Sequence, residues 1–183
     1  MNCPAHPARR SDQTRAQIMK AFTRLVFAHG FESVSVKKVV EEAQLARSTF
    51  YEHFSDKEDV LRACMTRIFA VVADCIASDQ PPGRLVEVLE HLWSNRRLTD
   101  AIFSGQARKV LSRNQTDLIE SRLKTIGPQG PLPSRLAAIH LAEAQLSLVE
   151  SWLRGHAHAA PDDLAAALHR SSRASALALL GAD

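Results

Sequence analysis

Between Arg47 and Lys57 the chain reads Arg-Ser-Thr-Phe-Tyr-Glu-His-Phe-Ser-Asp-Lys. Phe50 and Phe54 stand four residues apart, so in a helix they share one inward face. The other face then displays Arg47, Ser48, Thr49, Tyr51 and His53, with Glu52 as its single acid. Hydrogen-bond donors and a cation on one helix face suit the major groove of duplex DNA, which admits a helix and exposes acceptors and methyl groups. Lys57 falls in the first turn of the next expected helix, where free N–H groups and the helix dipole favour an anion such as a phosphate.

A reading helix needs a support that fixes its angle, and the preceding residues supply one. Ser35 can cap a helix with its hydroxyl. Val36, Val39 and Val40 recur at helical spacing, Ala43 allows a close crossing, and Gln44-Leu45 makes the turn. Ala46 stands at the N-cap of the helix Arg47–His53, and Lys37, just inside the supporting helix, reaches a phosphate. Two short helices of this kind form a helix-turn-helix with the recognition helix second. Ahead of them, Thr14-Arg15-Ala16-Gln17 has the pattern of a capping box. Ile18, Ala21, Phe22 and Leu25 make the apolar face of the helix that follows, and Gly30 ends it. Residues 1–11, with two prolines and Arg9-Arg10, read as a flexible basic arm that tracks the DNA backbone or minor groove.

Gly30-Phe31, Val36, Ala43-Gln44-Leu45-Ala46 and the run Thr49-Phe50-Tyr51-Glu52-His53-Phe54-Ser55-Asp56-Lys57-Glu58 together resemble the DNA-binding domain of TetR-family transcriptional regulators. The close match covers about Ile18 to Leu61; beyond it the likeness is one of length and helical pattern. Two positions depart from the family pattern: Gln44 replaces the usual turn glycine, and Ala46 replaces the usual capping Ser or Thr. The resemblance implies a homodimer, a palindromic operator and a small effector bound inside a helical C-terminal domain.

Charge and composition agree with a DNA-binding head. Residues 1–57 hold nine Lys/Arg against six Asp/Glu, whereas residues 58–183 hold fourteen of each, so the whole net charge of +3 lies on the helix-turn-helix segment. A hydrophobic fraction of 45% and a charged fraction of 23% fit a globular protein. No apolar run approaches the roughly 20 residues that span a bilayer. The opening MNCPAHPARR lacks the apolar core of a secretory signal, so the cytoplasm is the expected location. Cys3, Cys64 and Cys75 have neither metal-ligand nor disulfide spacing, and Cys64 and Cys75 read as buried thiols. His156 and His158 lack partners at metal spacing, and the hydrolase, P-loop and zinc-protease motifs are missing. The expectation is therefore no metal, no cofactor and no enzyme.

After residue 57 the periodicity stays helical to the end. Ser55 to Glu58 reads as a second capping box, opening a long helix from about Asp56 to Ser78. Further helices are expected at about Arg84–Asn95, Gly105–Ile126, Ser134–Arg154 with Ser134 as cap, and from Pro161. Met65, Phe69, Trp93, Phe103, Leu111 and Trp152 are the candidate lining of an effector pocket for an apolar or aromatic molecule. Leu146, Val149, Leu153, Leu164 and Leu168, on the last two helices, are the candidate dimer interface.

The expected fold is all-α: a basic arm at 1–11, a helix-turn-helix domain at 12–57, and an effector-binding and dimerisation domain at 58–183. The expected function is a homodimeric repressor released from its operator by a small molecule. An effector-independent DNA-binding regulator controlled by a protein partner is the alternative, and an all-helical enzyme a remote one.

Overall fold

The computed structural model describes residues 7–127 and 130–181, and every regular element among them is helical. The N-terminal head comprises α1 (Pro7–His29), α2 (Val36–Ala43) and α3 (Arg47–His53). From it α4 (Lys57–Ala73) leads into the second half and closes with a 3-10 turn, Asp74–Ile76. There follow α5 (Leu85–Ser94), a 3-10 turn at Arg96–Leu98, the short α6 (Thr99–Ile102), and the long α7 (Gly105–Ile126), α8 (Ser134–Leu153) and α9 (Pro161–Leu180).

Three helix starts differ from the sequence expectation. α1 begins at Pro7, so the Thr14–Gln17 pattern lies inside it. Proline suits a helix start because its missing N–H would go unpaired there, and nothing between Ala8 and Gln17 breaks a helix. Residues 7–11, expected in the flexible arm, are thus helical, while residues 1–6 lie outside the described residues. Asp56, not Ser55, caps α4: its Oδ1 accepts from the Asp59 N–H at 2.7 Å, and Asp59 Oδ2 accepts from the Ser55 N–H at 3.2 Å. A carboxylate is the better acceptor for these N–H groups. Ser134 does not cap α8; it is the first helical residue, after Pro133.

One apolar core runs from the head into the second half. Ile18, Phe22 and Phe50 join Val60, Leu61 and Phe69 of α4, then Leu89, Leu111 and Leu146. A smaller cluster at the far end packs Ile76, Ile119, Leu123 and Leu141 against alanines of α8 and α9. The five residues expected at a dimer interface, Leu146, Val149, Leu153, Leu164 and Leu168, are all buried within this single chain. Small residues decide the matter: Ala137, Ala138 and Ala142 let α8 lie close to its neighbours, which turns that face inward. The large apolar side chains that α8 leaves exposed are Leu136, Ile139 and Leu148.

Polar contacts fasten α7 to the rest. Arg108 bridges to Glu143 at 2.7 Å and Glu150 at 3.4 Å on α8. Burial raises the Glu143 pKa, but the Ser112 hydroxyl and Arg108 more than offset it, and the carboxyl is held below its usual range. Arg122 Nε meets Asp74 Oδ1 at 2.7 Å beyond the C-terminal end of α4. At the other end of α7 the head is engaged directly. Glu32, in the loop between α1 and α2, accepts from the backbone N–H of Gln106 at 2.8 Å, and Gln106 Nε2 donates to Glu58 Oε1 of α4 at 3.2 Å. Gly105 makes room for this contact: a Cβ there would lie 2.6 Å from Glu32 Oε1, and its φ of +53° disfavours any other residue. Replacing Glu32 by Ala is expected to lower stability by about 1 kcal/mol, the scale of a carboxylate at a helix N-terminus. It should also speed hydrogen exchange at the Gln106 amide while helix content stays constant. Unchanged exchange at Gln106 would remove this contact as a tie.

Candidate nucleic-acid interface

The support and reading helices are held by their ends. Ser35 Oγ accepts from the Lys38 N–H at 3.3 Å and so caps α2, as its position led one to expect. Gln44 takes φ 54° and ψ 44°, the left-handed conformation usually given to glycine, and Leu45 N–H closes the turn on Val40 O at 2.9 Å. For a non-glycine residue that geometry costs about 1–2 kcal/mol. Ala46 has extended backbone and no side-chain cap, so α3 starts with unpaired N–H groups, a deficit of about 1 kcal/mol against a capping hydroxyl.

Two α1 side chains compensate: Gln17, released from the capping-box role its pattern suggests, and Arg15, to which the sequence pattern assigns none. Gln17 Nε2 donates to Ala43 O at 2.6 Å, and Arg15 donates to His53 O at 3.0 Å while its guanidinium lies 4.2 Å from the Phe54 ring centroid. Both close helix C-termini whose carbonyls would otherwise lack partners. Their one visible signal is that Arg15 and Gln17 flank the helix stripe that begins at Ile18. Phe50 and Phe54 are buried, as expected, and Phe50 meets Tyr51 and Phe54 ring to ring.

On the outer side, Arg47, Ser48 and Tyr51 are exposed, while Thr49 and His53 are half-buried. Arg47 Nη2 donates to the Tyr51 hydroxyl at 3.2 Å, which pre-aligns the two side chains one turn apart. Ser35, Lys37 and Ala46 are exposed as well. Lys37 lies 3.9 Å from Glu41 with 81% of its side chain exposed, a loose surface pair of little energetic weight. Lys57 departs from the expectation of a free phosphate-binding cation. Its Nζ donates to Phe31 O at 3.0 Å and Glu32 O at 3.4 Å, and lies 4.4 Å from the Phe31 ring centroid. Half-burial beside these carbonyls turns the charge onto the α1–α2 loop.

The six candidate pocket residues also come together, but as packing. Met65, Phe69, Phe103, Leu111 and Trp152 are buried in the main core, with half-buried Trp93 against it. The two indole rings lie 4.7 Å apart, and Trp152 Nε1 donates to Ala159 O at 3.0 Å. Arg96 lies over Trp93, 4.6 Å from its ring centroid. Polar residues assigned no role from the sequence share this interior. Gln115 Nε2 donates to Gln145 Oε1 at 2.6 Å, yet Gln115 Oε1 and Asn114 Nδ2 have no hydrogen-bond partner among the described residues. Their signal was visible as polar residues inside an apolar stripe, three and four residues from Leu111 and Leu118.

Residues 18–64, from the core of α1 to the second turn of α4, match the family model described as bacterial regulatory proteins of the tetR family. The HTH-type transcriptional regulator TcmR of Streptomyces glaucescens is 32% identical over 153 residues, covering 84% of this chain and 58% of that protein. The helix-turn-helix head of this chain is of the TetR type. The HTH-type transcriptional repressor AcnR of Corynebacterium diphtheriae is 30% identical over 81 residues, 44% of this chain and 40% of that one. The chain thus spans about half the length of the curated relatives it matches. Among solved structures, a TetR transcriptional regulator from Streptococcus agalactiae aligns with a TM-score of 0.57 at 19% identity, over 90% of this chain and 96% of that one. A TetR-family regulator from Syntrophomonas wolfei aligns at 0.53 and 18%, over 94% and 99%. These two share the TetR fold with this chain. No helix among the described residues is long and apolar enough to cross a membrane.

The engaged state of Lys57 makes it separable from Lys37. Lys57→Met is expected to lower stability by about 1–2 kcal/mol, because it removes the charged hydrogen bonds to the Phe31 and Glu32 carbonyls. Lys37→Met should stay within about 0.5 kcal/mol of the parent, as a surface change. Urea unfolding without DNA measures both, and equal stabilities would remove the positioning role of Lys57.

Proposed function

We propose that this protein is a DNA-binding transcriptional regulator in which α3 reads base edges in the major groove. The observation that carries the reading is the outer face of α3, where Arg47, Ser48 and Tyr51 stand exposed on a helix whose other face is locked into the core by Phe50 and Phe54. Arg47, Ser48 and Thr49 approach base edges; Tyr51, Lys37, Ser35 and the first turn of α3 after Ala46 meet phosphates, and His53 borders the contact. Lys57 positions the loop that carries the head. The domain division that goes with this reading is a head at 12–57 and an effector and dimerisation domain at 58–183, acting in the cytoplasm. The chain acts as a homodimer reading a palindrome, with half-sites about one helical turn or a multiple apart. Exposed Leu136, Ile139 and Leu148 give α8 an apolar surface for that pairing.

A duplex selected from a random pool provides the operator for the test. Arg47→Ala should relax preference at one base position per half-site, worth about 1–3 kcal/mol if the contact is bidentate. Lys37→Ala should weaken binding to all sequences alike and flatten the salt dependence by about one unit per contact. Failure to select any duplex sequence would overturn the DNA-reading role.

We further propose that the regulator is a repressor released by an apolar or aromatic effector held in the second half, beside Trp93 and Trp152. Support comes from the unpaired Asn114 amide and Gln115 carbonyl, a buried donor and acceptor that a ligand with one polar group would satisfy. Such a ligand releases DNA only if it prefers one conformation over the other. Both tryptophans of the chain are in this half, so binding should quench their fluorescence, less so in Trp93→Phe or Trp152→Phe. By linkage, operator and effector must weaken each other by the same factor. A quenching ligand that leaves operator affinity unchanged would leave a binding cavity without regulation.

A further inference from the structure

A groove of about 390 Å³ lies where α1, α4 and α5 meet, and its lining includes neither a residue of the reading face nor a tryptophan. Its apolar wall is Met19 of α1, Ile68 and Val71 of α4, and Val88 of α5. Two more open hollows extend it along α1, both sharing Met19; the one that also holds Arg67 is bordered by Arg15 and by one acid, Asp12. Its charged rim is unequal. Arg84 is paired with Glu87 at 3.2 Å, which accounts for the groove's one acid. Arg67, exposed on the same rim, forms no ion pair among the described residues. One hollow is bordered by Lys20, a second cation with no ion pair among the described residues.

We propose that this groove binds a small amphipathic carboxylate, with its hydrocarbon chain on Met19, Ile68, Val71 and Val88 and its carboxylate on Arg67. The volume falls in the range of small-molecule sites, which are mostly apolar with a few oriented polar groups. Charge selects the class. A cationic amphiphile would face Arg67 as a like charge, and a neutral one would desolvate the guanidinium without pairing it. A carboxylate instead makes the charge-assisted contact that arginine geometry favours. The bound chain touches the head through Met19 and the second half through Val88, so it ties α1 to α5 across α4. The site is separate from the effector cavity proposed above and does not rest on DNA binding.

Cys64 is a reporter built into the groove wall. Its thiol is half-buried, and burial pushes its pKa up, so alkylation by iodoacetamide is followed at mildly alkaline pH. Cys75 is buried, with its thiol pushed up to about 12, and stays silent. In a full-length Cys3→Ser protein, sodium decanoate should slow Cys64 alkylation in a saturable way, and decanol and decyltrimethylammonium much less. Arg67→Glu should raise the decanoate concentration for half-protection by roughly tenfold. Arg67→Gln should raise it by less, because glutamine takes away the attracting charge without adding a repelling one. Circular dichroism checks that both exposed-site variants fold. Three outcomes overturn the proposal: no protection up to the solubility limit of decanoate, equal protection by decyltrimethylammonium, or protection indifferent to both Arg67 variants. None of these readouts involves DNA, so failure here is distinguishable from failure of the regulatory reading.

Discussion

The grip on Phe31 and Glu32 governs how this molecule presents its reading helix. Lys57 of α4 holds the two backbone carbonyls, and the N-terminal turn of α7 holds the Glu32 carboxylate. An isolated helix of seven residues such as α3 would not persist in water. Its order comes from Phe50 and Phe54, each worth about 1.5–3 kcal/mol when fully buried. Those contacts are apolar and say little about angle. Direction comes from the polar ties: Arg15 and Gln17 at the helix ends, Lys57 and Glu32 at the loop. Burial keeps the head folded, and a few hydrogen bonds of about 1–3 kcal/mol each aim it.

Local preference and tertiary structure disagree at the turn itself. Gln44 adopts a glycine conformation and Ala46 leaves α3 uncapped, two deficits of about 1–2 and about 1 kcal/mol. Natural sequences break local rules where function or strain is concentrated, and stabilise the exception elsewhere. Here the compensation is the α1 side chains on Ala43 O and His53 O. The free N–H groups at the start of α3 remain available to an external acceptor, and a DNA phosphate is an acceptor of the right charge.

Much of this was legible in the sequence, because helical spacing and end signals coincide. Arg47–His53 and Gly105–Ile126 have the bounds expected of them, and a helix does begin at Pro161. What escaped was the choice between two adjacent caps and anything decided by a distant neighbour. Ser55 and Asp56 are both competent caps, and the choice depends on which oxygen reaches Asp59. Lys57 looks like a free cation until the loop folds over it. On α8 the larger Leu136 and Ile139 stay exposed while alanines take the inner face, since close approach of α7 and α9 rewards small side chains. For the same reason Leu146 and Leu168, expected to face a partner, turn into the chain's own core. Asn114 and Gln115 interrupt an apolar stripe visibly, but whether a polar residue there is paired, orphaned or exposed depends on α4 and α8.

α4 connects the two halves covalently, which makes it the obvious lever, but packing argues for α7. Val60, Leu61 and Phe69 splice α4 into a core that also holds Phe22 and Leu111, so moving it disturbs both halves at once. α7 makes a polar contact with the head at its first turn, with Glu32 as partner, and bonds Glu58 of α4 beside it. Asn114 lies eight residues along the same helix from Gln106, about 12 Å at 1.5 Å per residue. A helix is stiff over that length, so a displacement at its orphaned middle is carried to its end. The contact waiting there is worth about 1 kcal/mol, small enough to be broken by a ligand and large enough to hold an angle without one. Discrete helix shifts at interfaces turn small local movements into a change of state. The chain keeps its apolar contacts for staying folded and places a weaker polar one between the head and α7.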